Sequence, residues 1–378
     1  MEATGLITEY NPFHNGHIYH IATAKKLYPE SVIIVLMSGN WVQRGKPSII
    51  DKWEKARIAL KSGADLVFEL PYFYSVQPGQ IFANGAIALL NDLKVNNLVF
   101  GSEHPKTNFI DLARKISKEK TSPEFKRKNE TFAKNFSTVL KRKTGFELNQ
   151  ANDILAFSYA RSVLKMGLEN KLHLKPIKRA KANNQQKGLK FENKIASSKD
   201  IRIALEKGKD VSAYTPLKNL KFFDYEPEFF DLLKYRLYTD GIGQIRSVYQ
   251  VNEGIDFLVK HAIQQGPLNL EEFIALIKSK RYTFARLRRV LNYILLNIKV
   301  DQMNDAMKNP YHRLLGFNSV GRKYLHNNKK SFSFPVFSHL NYKNVNKYLN
   351  IDYKAGLVYN QIMDLHDPQD IKRPPLEV

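Results

Sequence analysis

His14 and His17 are the residues of this sequence whose types and spacing most clearly suggest chemistry, because they lie on either side of Gly16 near the N-terminus. An imidazole can donate a hydrogen bond to a phosphate oxygen. Residues three apart share one face of a helix, and a nearby glycine lets a ligand approach the backbone closely. The spacing therefore predicts a phosphate-binding site, with two ordinary surface histidines beside a turn as the alternative.

The segment that carries these histidines has the pattern of a strand, a turn and a helix. A short apolar run begins at Gly5 and breaks at Asn11 and Pro12, and helical spacing of apolar residues then continues to Leu27. The first backbone N–H groups of a helix have no partner within the helix, and the helix dipole is positive there. We therefore expect the start of this helix to attract an anion.

Further strands and helices alternate along the first part of the chain. Apolar, β-branched runs predict strands and apolar residues at helical spacing predict helices, the strands at residues 31–37, 64–70 and 97–100 and the helices at 51–61 and 78–92. This alternation is typical of an α/β fold, a Rossmann-like parallel sheet with helices on both faces. Ligands of such sheets bind beyond the carboxyl ends of the strands, where residues 40–45 and 101–103 are expected to join His14.

A second candidate anion site follows a later strand. The strand predicted at residues 171–177 leads to Arg179, and a serine-capped helix begins near Ser197 with Arg202 in its first turns. Hydroxyl and guanidinium groups are suitable phosphate ligands, so Ser197, Ser198 and Arg202 are candidate phosphate contacts. An ordinary N-cap without a ligand is the alternative explanation of the serines.

The charge of the chain points to a polyanionic partner. Lysine and arginine number 59 against 36 aspartate and glutamate residues, which leaves a formal net charge of +23. A protein this basic commonly binds nucleic acid, although many of the lysines could simply cover a solvated surface. A basic membrane-binding surface is the weaker alternative, because no strongly amphipathic basic helix with an apolar anchor is present.

Aromatic residues mix with lysine and arginine from about residue 214 onwards, where helical periodicity replaces the strand pattern. The helix predicted around residues 280–291 has the clearest pattern. Its Leu287 and Leu291 belong to a predicted buried stripe, so we expect Arg286 and Arg289 on a basic face. Guanidinium groups pair with phosphates or stack on bases. The predicted RNA-binding residues are Lys280, Arg281, Arg286 and Arg289.

The length and composition of the chain lead to expectations about its domains, its compartment and its chemistry. A chain of 378 residues exceeds a comfortable single core, and we expect domains at residues 1–210 and 211–378, with residues 310–378 as a small closing subdomain. The sequence contains no cysteine, no signal peptide pattern and no apolar stretch of the roughly 20 residues that span a bilayer. We expect a cytoplasmic protein without thiol chemistry.

With these pieces assembled, the sequence resembles the bacterial tRNA(Met) cytidine acetate ligases, a family of the nucleotidyltransferase superfamily with its His-x-Gly-His motif. The similarity extends over most of the chain. It rests on the segments 5–17, 37–45, 64–71, 100–103, 152–155, 177–179, 197–202 and 280–287.

The resemblance implies an ATP-dependent ligase. Acetate would attack the α-phosphate of ATP to give acetyl-adenylate and pyrophosphate, and the wobble cytidine of elongator tRNA(Met) would then accept the acetyl group at N4. His14 and His17 would be the catalytic residues that stabilise the charge at the phosphates. By position, the ATP-binding residues would be Ile7, Thr8, Glu9, Tyr10, Asn11, Pro12, Phe13, His14, Asn15, Gly16, His17, Ile18, Tyr19, His20, Gly101, Asn152 and Arg179.

Two segments differ from the family's usual pattern, and two other functions stay open. The loop Ala182–Gly188 lacks the usual His-Asp pair, and Lys199–Asp200 interrupts the serine motif. A nucleotidyltransferase with a small-molecule acceptor and a non-catalytic RNA-binding relative are the alternatives.

Mg²⁺ is plausible as a companion of ATP, but no dedicated metal site is expected because His-x-x-His lacks a third ligand. No protein partner is inferred.

Overall fold

The computed structural model describes residues 1–117, 132–179 and 194–378, so the loop Ala182–Gly188 lies outside the described residues. Within these ranges, eight strands form one sheet. The strands are β1 (Ala3–Thr8), β2 (Val32–Ser38), β3 (Leu66–Leu70), β4 (Asn97–Ser102), β5 (His173–Lys178), β6 (His312–Phe317), β7 (Val336–Phe337) and β8 (Leu376–Glu377).

The strand order is β5-β4-β1-β2-β3-β6-β7, with β8 paired to β6. Strands β1 to β5 are parallel to one another, and β6 is antiparallel to its neighbour β3. The predicted α/β architecture with a mostly parallel, Rossmann-like sheet is thereby confirmed.

Strand β2 shows why this sequence forms a strand buried on both faces. Its side chains alternate between two apolar clusters, with Ile34 and Leu36 on one face and Val35 and Met37 on the other. Because neighbouring side chains of a strand point in opposite directions, a continuous apolar run satisfies both faces.

Helices cover both faces of the sheet in the first part of the chain. Helices α1 and α2 pack in the apolar cluster of Val35, and α4 and α7 pack in that of Leu36. The helices are α1 (Asn15–Leu27), α2 (Lys52–Lys61), α3 (Tyr72–Ser75), α4 (Gly79–Asp92), α5 (Phe109–Ser117), α6 (Phe132–Thr144), α7 (Ala151–Lys165) and α8 (Ser198–Glu206).

The second part of the chain is mainly helical, as expected, and its main apolar cluster also includes Trp41, Tyr72, Phe73 and Val76 of the first part. Its helices are α9 (Glu226–Thr239), α10 (Ile242–Arg246), α11 (Ile255–Gln264), α12 (Leu270–Ile277), α13 (Phe284–Leu295), α14 (Val300–Lys308), α15 (Ser319–Asn328), α16 (Tyr342–Asn344) and α17 (Asn350–Ile362), with a 3₁₀ turn at Lys329–Ser331 and a π-helical segment at Val345–Leu349. In the described ranges, no helix is long and apolar enough to cross a lipid bilayer.

The last part of the chain returns to the sheet, which the sequence did not lead us to expect. Strand β6 pairs with β3, and the buried ammonium group of Lys52 donates to Glu69 at 2.8 Å and to Asp370 at 2.6 Å. Residues 310–378 thus extend the sheet as well as adding helices. The helix predicted near residues 321–325 is present as α15. The domain boundary at residue 210 stays a prediction.

Candidate active site

The candidate site lies where the order of the strands reverses. Strand β1 has β2 on one side and β4 on the other, so the chain first moves in one direction from β1 and later crosses to the opposite side. Such a crossing leaves a crevice at the carboxyl ends of the strands, where α/β proteins bind ligands. His14, Gly101 and Arg179 lie at the ends of β1, β4 and β5.

His14 and His17 cap the first turn of α1 reciprocally. The Nδ1 atom of His14 accepts a hydrogen bond from the backbone N–H of Gly16 at 3.0 Å. The Nδ1 atom of His17 accepts one from the backbone N–H of His14 at 3.1 Å. This arrangement is a capping box, in which each side chain satisfies a backbone donor at the start of the helix.

The capping bonds fix which nitrogen of each ring carries the proton. An Nδ1 atom that accepts a hydrogen bond has no proton, so in the neutral ring Nε2 carries it. The rings of His14 and His17 are stacked, with centroids 3.7 Å apart. The stacked rings therefore hold two Nε2–H donors close together, an arrangement that can bind a phosphate.

Burial keeps these rings neutral. Desolvation, with a smaller effect of the nearby Arg179 charge, lowers the pKa of His14 to about 4. The pKa of His17 is also well below 6.5, because of desolvation and then the neighbouring charges of His14, His20 and Arg179. The Arg179 cation, which pairs with Glu103 at 3.4 Å, contributes to the lowering of both pKa values.

The expected backbone anion site is corrected by the structure. The N–H of Asn15 donates to the carbonyl oxygen of Tyr214 at 2.9 Å, and the N–H of His17 donates to that of His14 at 2.8 Å. The N–H of Gly16 is occupied by the His14 ring. Because folding already pairs these donors, the side-chain Nε2–H groups of His14 and His17 are the candidate anion contacts.

The loop between β1 and α1 is held from outside by α8 and the segment after it. Ser198 donates its hydroxyl to the carbonyl oxygen of Pro12 at 3.2 Å, and Thr215 donates to that of Phe13 at 2.7 Å. The guanidinium of Arg202 donates to the carbonyl oxygen of Asn11. These three side chains support the loop and thereby position His14.

Ser197 is the N-cap of α8, since its hydroxyl accepts the N–H of Asp200 at 3.1 Å and donates to the carboxylate of Asp200 at 2.6 Å. Of the three candidate phosphate contacts, Ser197 therefore matches the ordinary N-cap. Ser198 and Arg202 reach the loop itself. Direct phosphate contacts from Ser197, Ser198 or Arg202 stay a prediction.

Glu103 joins two of the predicted ATP-binding residues; sequence analysis placed the segment 101–103 at the site but did not include Glu103 among the ATP-binding residues. Its Oε1 atom accepts a hydrogen bond from the side-chain amide of Asn152 at 2.7 Å and one from Arg179 at 3.4 Å. The side chain of Arg179 also passes Gly101, where an added Cβ would lie 4.0 Å from its Cγ. The acidic residue that ended the motif 100–103 was the available signal.

The other predicted ATP-binding residues lie in β1, in α1 and in the loop between them. Tyr10 and Phe13 are buried, and their rings pack against His17 at centroid distances of 4.7 and 5.4 Å. Glu9 accepts the N–H of Gln43 at 2.8 Å, which ties the loop after β1 to the loop after β2. Ile7 and Thr8 end β1, Asn15 and Gly16 begin α1, and Ile18, Tyr19 and His20 continue it.

The basic face expected on α13 is only partly present. Lys280 and Arg281 are exposed, and Arg286 is partly exposed above the ring of Tyr282. Arg289 is only 8% exposed, so its place on an exposed basic face is wrong. A Cβ added at Gly45 would lie 2.8 Å from the Cα of Arg289, because the loop after β2 covers this side of α13.

A metal cluster is not found among the residues that the structure describes, where no group of three or more His, Asp or Glu side chains could hold an ion. The two imidazoles are committed through Nδ1 to backbone donors.

Comparison with known proteins identifies the family. The sequence profile of the HIGH nucleotidyl transferases matches residues 1–373. A tRNA(Met) cytidine acetate ligase of Oenococcus oeni is 58% identical over 377 residues that cover 100% of both chains. The chain belongs to the HIGH nucleotidyl transferase family, among its tRNA(Met) cytidine acetate ligases. The ligase of Limosilactobacillus reuteri is 40% identical over 382 residues, which cover 100% of this chain and 99% of the other.

Solved structures of the ligase family have the same fold. Thermotoga maritima TmcAL without ligand is 26% identical, covers 100% of both chains and superimposes with a TM-score of 0.86. The structure of Thermotoga maritima TmcAL bound with alpha-thio ATP gives a TM-score of 0.83 at 25% identity, again over 100% of both chains. The family resemblance predicted from the sequence segments is thereby confirmed.

Proposed function

We propose that this chain is an ATP-dependent ligase that acetylates the wobble cytidine of elongator tRNA(Met). It activates acetate as acetyl-adenylate and then transfers the acetyl group to N4, which gives N4-acetylcytidine, AMP and diphosphate. The observation that carries the proposal is the stacked His14–His17 pair at the reversal point of the sheet. The identity of 58% to the Oenococcus oeni ligase over the whole chain supports the choice of substrates.

The first step is an attack of an acetate oxygen on the α-phosphate of ATP, with pyrophosphate as the leaving group. This displacement needs no covalent enzyme intermediate, only aligned reactants and stabilisation of the negative charge that develops on the phosphates. The Nε2–H groups of His14 and His17 donate to the phosphate oxygens. Arg179 supplies the positive charge, and Mg²⁺ accompanies ATP.

The nucleotide is held by the residues carried over from the family. Glu103 supports this assignment, because it links Asn152 and Arg179 beside Gly101. The ATP-binding residues of this proposal are the segment from Ile7 to His20 together with Gly101, Asn152 and Arg179. In this proposal Ser198 and Arg202 act mainly by holding the carbonyl groups of the loop before His14.

The tRNA is bound by the basic surface at the start of α13. Lys280 and Arg281 lie in the loop before the helix, and Arg286 lies in its first turns. The net charge of +23 supports a polyanionic partner such as tRNA. Arg289 is left out because it is buried. The cytoplasm, where tRNA and ATP meet, is the expected place of the reaction.

The experiment that tests the proposal follows both half-reactions. The protein is incubated with ATP, labelled acetate and unmodified elongator tRNA(Met), and the nucleosides are separated after digestion. We expect labelled N4-acetylcytidine, and acetate-dependent exchange of pyrophosphate into ATP without tRNA. The variant His17→Ala should lose the exchange and keep its affinity for tRNA.

Other outcomes would favour the other functions. Tight tRNA binding with neither exchange nor acetylcytidine would overturn the proposal and favour a non-catalytic RNA-binding protein. Transfer of adenylate to a small acceptor in the absence of tRNA would favour a small-molecule nucleotidyltransferase. If His17→Ala lost only tRNA binding, the assignment of the histidines to ATP would be wrong.

A further inference from the structure

A histidine and an aspartate that the activation step does not use form a pair at the end of β4. The Nδ1 atom of His104 lies 2.6 Å from the Oδ2 atom of Asp153. The side chain of Asp153 is completely buried, whereas that of His104 is 54% exposed. A buried carboxylate thus holds one side of an imidazole whose other side is accessible.

The carboxylate of Asp153 is fixed by several donors. Its Oδ1 atom accepts the hydroxyl of Ser102 at 2.6 Å and the backbone N–H of Glu103 at 3.0 Å. The backbone N–H of His104 donates to the Ser102 hydroxyl at 2.9 Å, and the ring of Phe146 packs edge-on against the imidazole at a centroid distance of 5.4 Å. The His104 ring is therefore held in one orientation.

This pairing determines the proton position on His104. A carboxylate only accepts hydrogen bonds, so Nδ1 carries a proton, and in the neutral ring Nε2 has a lone pair. No group among the described residues makes a hydrogen bond to Nε2 of His104. The geometry is opposite to that of His14 and His17, whose Nδ1 atoms accept and whose Nε2 atoms donate.

The pair lies beside the candidate nucleotide site. Asn152 precedes Asp153 in α7 and donates to Glu103, which in turn pairs with Arg179. Gly101 lies three residues before His104 in the same strand end. An exposed imidazole thus lies beside the residues proposed to hold the nucleotide.

We propose that His104 is the general base of the acetyl transfer and that Asp153 is its positioning residue. This role rests on the proposed function. The N4 atom of cytidine attacks the acetyl carbon, a C–N bond forms, and the bond from that carbon to the phosphate oxygen of AMP breaks. The proton leaving N4 moves to Nε2 of His104, and the Asp153 carboxylate stabilises the resulting imidazolium.

The chemistry of the acceptor explains the need for a base. The lone pair of the cytidine amine is delocalised into the ring, so the amine must lose a proton as it attacks. His14 and His17 do not suit this task, because burial lowers the pKa values of both rings and their Nε2 atoms are protonated in the neutral form. The Nε2 atom of His20 is occupied by the carbonyl oxygen of Val99 at 3.0 Å.

The test separates the two half-reactions in the full-length variant His104→Gln. We expect acetate-dependent pyrophosphate exchange and tRNA affinity within about twofold of the unaltered protein. The single-turnover rate of acetyl transfer to tRNA should fall by about 100-fold, a typical contribution of a general base. Added imidazole should restore part of the lost rate, which a merely structural defect would not allow.

Two further variants complete the test. His326→Gln replaces an exposed histidine of α15 and should leave both half-reactions unchanged. Asp153→Asn should slow the transfer without rescue by imidazole, because His104 is still present but misoriented. Acetyl transfer by His104→Gln at the unaltered rate, or equal losses in exchange and transfer, would overturn the role of His104. A wild-type protein without exchange or acetylcytidine would overturn the proposed function itself.

Discussion

The imidazoles of His14 and His17 use opposite edges for two different tasks. Their Nδ1 edges accept backbone N–H groups and cap α1, at 3.0 and 3.1 Å. In the proposed function, their Nε2 edges are the donors to a phosphate. Because the two tasks use different atoms, substitution can remove one and keep the other.

The variant His14→Asn should separate capping from catalysis. Asparagine is among the best N-cap residues, and its side-chain oxygen can replace Nδ1, but it has no counterpart of Nε2–H. We expect the thermal midpoint to change little and acetate-dependent pyrophosphate exchange to fall by about 10²- to 10³-fold, as when an oxyanion donor is removed. Both quantities can be measured on one preparation.

The comparison variant is His14→Ala, which removes both edges. It should lose the exchange activity to a similar degree and also about 1 kcal/mol of stability, the usual value of an N-cap. Normal exchange in His14→Asn would show that Nε2 is not the donor. If both variants lost the same amount of stability, the effect of His14 on stability would not come from its capping hydrogen bond.

Gly16→Ala should disturb the His14 ring without straining the backbone. A Cβ at Gly16 would lie 2.8 Å from Cε1 and 2.9 Å from Nδ1 of His14, and Gly16 is not in the left-handed region. The ring must therefore move, and we expect KM for ATP to rise by about 10-fold, or roughly 1.4 kcal/mol of binding. Exchange kinetics at varied ATP measure this.

Gly243→Ala is the matched control, since Gly243 is helical and an added Cβ would meet no atom within 4 Å. It should leave KM for ATP unchanged and stabilise the helix slightly, because alanine has the higher helix propensity. An unchanged KM in Gly16→Ala would mean that the position of the His14 ring does not limit ATP binding.

The sequence predicted the local part of this site better than its long-range part. The strand, turn and helix around His14 follow from residues close in sequence, and apolar periodicity identified β1 to β4. The pairing of β6 with β3 joins residues about 250 positions apart, and a six-residue strand carries no information on such a partner. Glu103 likewise acquires its role only from Asn152 and Arg179.

The error at Arg289 has a related cause. Helical periodicity correctly identified Leu287 and Leu291 as buried, but it assumes that a helix has one covered side. The loop after β2 covers a second side of α13, where the side-chain amide of Asn292 donates to the carbonyl oxygen of Gly45 at 3.1 Å. The pairing of the Asn15 N–H was missed for a related reason, since its partner Tyr214 is distant in sequence.

Glu103→Ala should weaken ATP binding, because it releases two of the proposed ATP-binding side chains at once. Its Oε1 atom accepts hydrogen bonds from both Asn152 and Arg179. We expect KM for ATP to rise by about 10-fold or more while tRNA affinity stays constant, because each lost hydrogen bond to a charged group is worth about 1.5 kcal/mol or more. Glu103→Gln keeps an accepting oxygen and should lie between the two. Equal KM values in all three proteins would contradict this role.

Stability should fall as the pH is lowered from about 6.5 towards 4. Burial lowers the pKa of His20 to about 4, whereas a histidine in the unfolded chain titrates near 6.5. In this window the unfolded chain binds a proton that the native protein does not, so the free energy of unfolding decreases by up to about 1.4 kcal/mol per pH unit. His14 contributes in the same direction.

The variant His20→Gln isolates one of these histidines. Glutamine can still donate to the carbonyl oxygen of Val99 but does not titrate, so stability should depend on pH less steeply, by about one proton. Denaturant unfolding at several pH values between 5 and 6.5 measures the slope, and the same proteins at pH 8 supply the baseline. Identical slopes would show that His20 is not protected from protonation in the native state.

Arg286 and Arg289 lie three residues apart on α13 and should nevertheless respond in opposite ways. Arg286 is partly exposed, whereas Arg289 is buried beside Gly45. Arg286→Ala should weaken tRNA binding and reduce the slope of log Kd against log salt by about 1, because one phosphate contact is lost.

Arg289→Ala should instead lower the free energy of unfolding by about 1–3 kcal/mol through lost packing, and should leave the salt slope unchanged. Filter binding at several salt concentrations and thermal unfolding provide the two measurements. Lys323→Ala removes an exposed charge from α15 and controls for the total charge, with no expected change in the slope. A reduced slope in Arg289→Ala, or an unchanged one in Arg286→Ala, would place the RNA-binding surface elsewhere on the protein.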